Sequence, residues 1–122
     1  MISFDTIDRS LTLQLDSAPA TELQVLASFA ELDSPTQELE AYRTEVTETD
    51  GTSEITVVPA PIADKARILK YAIVQNTDNS PVTVTVNFVD DTLVVPIVTA
   101  LLSPSDSLQY LDGSGWTVIT LS

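Results

Sequence analysis

Carboxylates are the side chains of this sequence best able to do chemistry, because histidine and cysteine are both absent. That absence removes the commonest general base, the commonest metal ligands and every Ser-His or Cys-His nucleophile. Paired carboxylates can still transfer protons or bind Ca²⁺, and acids concentrate in residues 31–54 and at Asp90-Asp91. The first group does not have the spacing of a calcium-binding loop, so we interpret it as a solvated acidic face. Asp90-Asp91 indicates a tight turn, with a surface Ca²⁺ site as the alternative.

Three of the five basic residues form a cluster, Lys65, Arg67 and Lys70, in a chain whose eighteen acids give it a formal net charge of −13. Strand alternation places Lys65 and Arg67 on one face. Such a basic stripe is a candidate docking surface for an acidic partner or for the acidic half of another copy. The alternative is that these bases neutralise the acids of their own neighbourhood.

Two aromatic residues, Tyr110 and Trp116, flank the Gly-containing segment 112–115. Across a β-hairpin such rings can pair and stabilise the sheet. The alternative is an open aromatic platform that binds a sugar. We favour packing, because no further ring or carboxylate converges on this pair in the sequence.

The N-terminal residues 1–8 carry three apolar side chains, Ile2, Phe4 and Ile7, on a segment with no room for a hairpin partner. In a lone monomer these side chains would form an exposed apolar patch. We therefore interpret residues 1–8 as an arm and expect its apolar side chains to pack on another chain.

The charge of the chain excludes two classes of partner. A surface this negative repels the phosphates of nucleic acids and of anionic membranes, so we expect neither as a partner. With 43% hydrophobic residues and a mean hydropathy of +0.18, the chain has enough apolar side chains for a core. The composition favours a structural or binding role over an enzyme, and we predict no cofactor.

The elements that must position these residues are β-strands. Residues 82–89 alternate with period two, which predicts that Val82, Val84, Val86 and Phe88 face inward. An Asp50-Gly51 turn predicts a hairpin between the strands on either side of it. The pattern predicts an antiparallel β-sandwich, of jelly-roll type, with a single domain over 9–122 after the arm. Its predicted strands are 10–16, 23–29, 40–48, 53–59, 66–75, 82–89, 92–99, 107–111 and 116–121.

The second half of the chain, residues 66–121, resembles a family of small tailed-bacteriophage virion proteins. Their pattern combines a strand with Arg and Lys, an Asn-containing turn, a Val-Thr strand, a Leu-x-Pro-Gly-Glu-Ser-Leu-x-Tyr stretch and a closing Gly-Trp-x-Val. Ser105 and Asp106 stand where that pattern has Gly and Glu. The positions that fit the last two motifs are Pro104, Ser107, Leu108, Tyr110, Gly115 and Trp116.

The resemblance implies a β-sandwich that decorates the outer surface of the virion's capsid and stabilises it, as a cement protein, by bridging capsid subunits. The implied partner is the major capsid protein, and no catalytic residues come with the family. We further expect a homo-oligomer, a trimer or a dimer. The alternative function is that of a tail or head fibre domain that binds a cell-surface glycan. The candidate partner-binding residues are Ile2, Phe4, Ile7, Lys65, Arg67 and Lys70.

Overall fold

The computed structural model describes residues 1–120, which form two antiparallel β-sheets packed against each other. The predicted β-sandwich is confirmed, and no helix occurs in the described part of the chain. The strands are β1 (Ile2–Phe4), β2 (Arg9–Leu15), β3 (Gln24–Asp33), β4 (Leu39–Glu48), β5 (Ile55–Val58), β6 (Lys65–Gln75), β7 (Val82–Asp90), β8 (Leu93–Leu102), β9 (Ser107–Leu111) and β10 (Gly115–Ile119).

Each sheet is built around a central pair of strands that are distant in sequence. Sheet A has the order β10-β9-β6-β3-β4, with β1 also paired to β6, and sheet B has the order β5-β2-β7-β8. Hairpin partners extend both sheets outward, so that β4 and β8 are edge strands. The long strand β6 holds two shorter strands end to end on one side, since β1 pairs with residues 67–69 and β9 with residues 71–75.

The core lies between the sheets and follows the predicted alternation. In β7, Val82, Val84 and Val86 are buried and Phe88 packs partly buried against the core, whereas Thr83 and Thr85 are partly exposed, which confirms the register. Full burial of such a side chain contributes about 1.5–3 kcal/mol, so a slip by one residue would be strongly unfavourable. Asn87, on the outward face, is also buried. Beyond Val86 the pairing with β8 shifts by one residue. The buried inward residues of the first two predicted strands, 10–16 and 23–29, are Leu11, Leu13, Leu15, Leu23, Val25, Ala27 and Phe29.

The N-terminal segment belongs to the sandwich rather than extending from it as the predicted free arm. Ile2–Phe4 forms β1, and Phe4 is fully buried, with its ring stacked on Phe88 at 5.4 Å between centroids. The prediction that Phe4 packs on another chain is therefore wrong. The physical reason is that β6 is longer than β9, which leaves residues 67–69 free to pair with β1. Of the three apolar residues predicted for the arm, Ile7 is the exposed one.

The turn at Asp50-Gly51 forms as predicted but does not make a hairpin. Gly51 has a positive φ of 56°, which suits glycine, yet β4 belongs to sheet A and β5 to sheet B. The turn therefore carries the chain from one sheet to the other, and the hairpin prediction is wrong. In contrast, the turns at Asp90-Asp91 and at residues 112–115 close true hairpins, β7–β8 and β9–β10.

Candidate docking surface

The predicted basic stripe is largely occupied by the chain's own acids. The Lys65 ammonium contacts the carboxylates of Glu40 and Asp33, the latter at 3.8 Å. Arg67 pairs with Glu31 across β3 and β6, with Nη2 and Oε2 3.0 Å apart. A hydrogen bond from the Thr36 hydroxyl lowers the pKa of Asp33.

Arg67 is held on several sides at one end of the sandwich. Its Nη1 donates to the Pro59 carbonyl at 2.6 Å, and its guanidinium lies over the Phe29 ring, 5.0 Å from the centroid. Arg43 from β4 adds a second guanidinium to Glu31 at 3.3 Å. These contacts, with the Arg67 and Glu31 side chains nearly buried, leave little of Arg67 for a partner.

The structure does not place the three bases in one stripe. Lys65 and Arg67 lie on the inner side of sheet A, whereas Lys70 occupies a bulge where the pairing of β3 with β6 skips a residue. Its ammonium pairs with Asp112 at 3.1 Å, and its side chain is 43% exposed. For Lys65 and Arg67 the geometry supports the intramolecular alternative, and docking through Lys70 stays a prediction.

The aromatic pair packs as predicted and offers no open platform. Tyr110 is buried, and the centroid of the Trp116 ring lies 5.0 Å from that of Tyr110 at an angle of 51°. Trp116 also packs against the core. Burial raises the pKa of the Tyr110 hydroxyl, which has no hydrogen-bond partner among the described residues.

The acids do not converge into a metal site. Asp90 pairs with Arg9 at 3.5 Å, and Asp91 has the positive φ of a turn residue, 57°. Within residues 1–120, no group of three or more His, Cys, Asp or Glu residues could hold a metal ion. Over the same part of the chain, no helix is long and apolar enough to cross a membrane.

The most unusual surface is one that our sequence analysis did not single out. Strand β8 is the edge of sheet B, and of its ten residues Leu102 alone is buried. Its sequence, Leu-Val-Val-Pro-Ile-Val-Thr-Ala-Leu-Leu, contains no charged residue. The side chains of β8 that are 38–66% exposed lie on both faces of the strand, and together we call them the β8 surface: Leu93 and Val95 on the core side, Val94 and Leu101 on the other side, and Ile97 at the bulge.

The sequence pattern of β8 is that of a buried strand, but the strand lies at an exposed edge of the sheet. A continuous apolar run is typical of a strand covered on both faces, but β8 lies at an edge and is largely bare. The signal that points to the edge is Pro96, because proline in a sheet is confined to edges and bulges. An interior composition at an exposed edge makes β8 a candidate docking surface.

The surroundings of the β8 surface are acidic. The Asp91 amide donates to the carbonyl of Asp8 at 2.9 Å, which brings the exposed Ile7 next to the β7–β8 turn. Four carboxylates lie around this end, and Arg9 is the single base among them. The four acids are Asp5, Asp8, Asp90 and Asp91.

The arrangement can bury apolar side chains of a partner, and it offers charges at its rim to orient that partner. Pro96 and the adjacent bulge interrupt the free edge, which disfavours continuous strand addition. Docking by side chains is therefore the mode that the geometry favours.

Comparison of the chain with protein-family models, with curated proteins and with solved structures found no match.

Proposed function

We propose that this protein is a structural protein of a tailed-bacteriophage virion that decorates the outside of the capsid and stabilises it by bridging capsid subunits. The observation that carries the proposal is the β8 surface, an uncharged apolar edge on a chain of net charge −13. A protein that works by docking needs such a surface, and it needs no nucleophile or metal.

The size of the β8 surface favours a composite binding site. Its five side chains are about half exposed, so covering them contributes roughly 1 kcal/mol each. Association costs about 4–15 kcal/mol in lost translational and rotational freedom. Contact with one subunit therefore gives weak binding, whereas a site completed where subunits meet adds further contacts. Ligand binding to the assembled state alone stabilises that state by linkage.

Charge and sequence pattern support an exterior position. A net charge of −13 keeps free copies apart and disfavours contact with packaged DNA. The motif positions that resemble virion decoration proteins lie around the β9–β10 hairpin, where Tyr110 and Trp116 pack together.

The glycan-binding alternative lacks a supporting observation in the structure. It requires exposed rings around Tyr110 and Trp116, but the first is buried and the second packs on the core. We therefore keep a single proposed function.

A matched pair of variants tests the proposal. Leu93 in the β8 surface and Ile62 in the loop before β6 are both 66% exposed, so Leu93→Ser and Ile62→Ser remove the same kind of side chain. At protein concentrations below saturation, we expect Leu93→Ser to lower the number of copies bound per purified, expanded phage shell by about fivefold, and Ile62→Ser to leave it unchanged. The readout is band intensity on purified particles. Binding to bacterial cells but not to shells would discard decoration in favour of receptor binding.

A further inference from the structure

The middle of the outer face of sheet A is a second surface without charge, with Glu48 at its border on β4. Strand pairing arranges its side chains in rows across the sheet, one of which joins Val46, Leu26 and Ile73. The next row holds Thr44, Ser28, Tyr71 and Leu111, and the third holds Tyr42, Ala30 and Ile68. None of these ten residues is charged, although the chain carries eighteen acids.

This face contains both a protruding ring and a hollow. Tyr42 is 71% exposed on the edge strand β4. A shallow depression of about 320 Å³ lies two rows away, with Leu26, Val46 and Ile73 in its lining. Tyr42 and Val46 are four residues apart on one strand, a separation of about 13 Å.

The positions of ring and hollow are those of a self-complementary surface. The row of Thr44 and Ser28 lies midway between them. A two-fold axis that runs along that row, parallel to the sheet and between the two outer faces, would place the Tyr42 ring of each copy over the hollow of the other. In such an isologous contact the same patch serves both subunits.

We infer that the outer face of sheet A is the contact for a second copy of this chain, with Tyr42 of each copy seated against Leu26, Val46 and Ile73 of the other. The lack of charge in the middle of this face favours it for contact between two copies. Two chains of net charge −13 repel each other, and they approach at least cost where no carboxylates face one another. The β8 surface, with its acidic rim, suits a partner with basic residues instead.

Two variants that introduce opposite charges, Tyr42→Lys and Val46→Glu, test the contact. We expect wild-type protein to shift from 13.1 kDa monomers to dimers as its concentration rises in sedimentation equilibrium. Tyr42→Lys alone and Val46→Glu alone should each stay monomeric, because each buries an unpaired charge. Their equimolar mixture should dimerise, because the new ammonium of one chain then meets the new carboxylate of the other. Both positions are exposed, so the variants should keep the wild-type circular dichroism spectrum.

Salt gives a second readout of the same contact. Raising NaCl from 0.1 to 1 M shortens the Debye length from about 10 Å to about 3 Å, which screens the repulsion between copies and should strengthen the dimer. Monomers at every concentration would overturn the inference. Dimers that survive both single variants but dissociate in Leu93→Ser would also overturn it, by placing the contact at β8. The proposed function does not depend on either outcome.

Discussion

Two of the edge strands, β4 and β8, are alike in geometry and opposite in chemistry. Each is ten residues long, each is the second strand of a hairpin, and each is largely exposed. Strand β4 carries Glu40, Arg43, Glu45 and Glu48, whereas β8 carries no charged residue.

The difference shows that exposure by itself does not mark a docking site. The charged side chains along β4 disfavour pairing of its free edge with strands of other chains. Two of them also form ion pairs within sheet A, Arg43 with Glu31 and Glu40 with Lys65. Strand β8 has Pro96 and a bulge to limit strand pairing, but nothing limits apolar contact with its side chains. The composition of β8, compared with that of β4 in the same molecule, is the observation that supports the proposed docking surface.

The largest expected difference in unfolding free energy is between variants of two neighbouring residues in β8, Leu101 and Leu102. Leu102 is fully buried, whereas Leu101 is 65% exposed. Leu102→Ala should lower the free energy of unfolding by about 2–5 kcal/mol, and Leu101→Ala by less than about 0.5 kcal/mol. Urea denaturation measures both. Equal losses for the two variants would contradict the assignment of Leu102 to the core and of Leu101 to the free surface.

A smaller loss of unfolding free energy is expected when the ion pair between Glu31 and Arg67, next to β4, is broken. Glu31 pairs with Arg67, and both side chains are nearly buried, while Glu45 on β4 makes no ion pair within residues 1–120. Glu31→Gln should cost about 2–3 kcal/mol, somewhat less than for a fully buried pair. Glu45→Gln should change stability by less than about 0.5 kcal/mol. The same denaturation assay applies, and a neutral Glu31→Gln would show that the cluster contributes nothing to the fold.

The smallest effect is a pH dependence confined to the β4 side. The pKa of Asp33 is lowered by the Thr36 hydroxyl, and that of Lys65 is raised by Glu40. The Asp33 contribution is present above its ordinary pKa of 3.8 and is lost as pH falls through the folded value; the Lys65 contribution is present below 10.5 and is lost as pH rises. Amide exchange, corrected for its intrinsic pH dependence, should therefore rise below pH 4 at the start of β4. Strand β8, which has no titratable side chain, should show no such change.

The sequence predicted those features that local periodicity determines. The alternation of Val82, Val84 and Val86 identified the inward face because one side of that strand is buried. The Asp50-Gly51 turn was predicted, but the sheet that each flanking strand joins depends on pairings between distant strands. Phe4 was misassigned for the same reason, since its site on β6 exists because β9 is short.

The candidate site was harder to predict than the fold. Lys65 and Arg67 look like a free basic stripe until strand pairing brings Glu40 and Glu31 against them. An apolar run such as β8 predicts a strand that is buried, but it does not say whether the chain's own core or a partner would cover that strand. The lack of charge over ten residues in so acidic a chain was the available signal.

Hydrogen–deuterium exchange on the free protein and on protein bound to purified, expanded shells tests the central claim most directly. It compares the backbone amides of β4 and β8 in one experiment. If β8 is the docking surface, amides in residues 93–101 should become protected on the shell, because covering the strand excludes water and suppresses its opening. Amides of Glu45 and Glu48 should gain less protection. Unchanged exchange in β8, with protection confined to β4, would contradict the account.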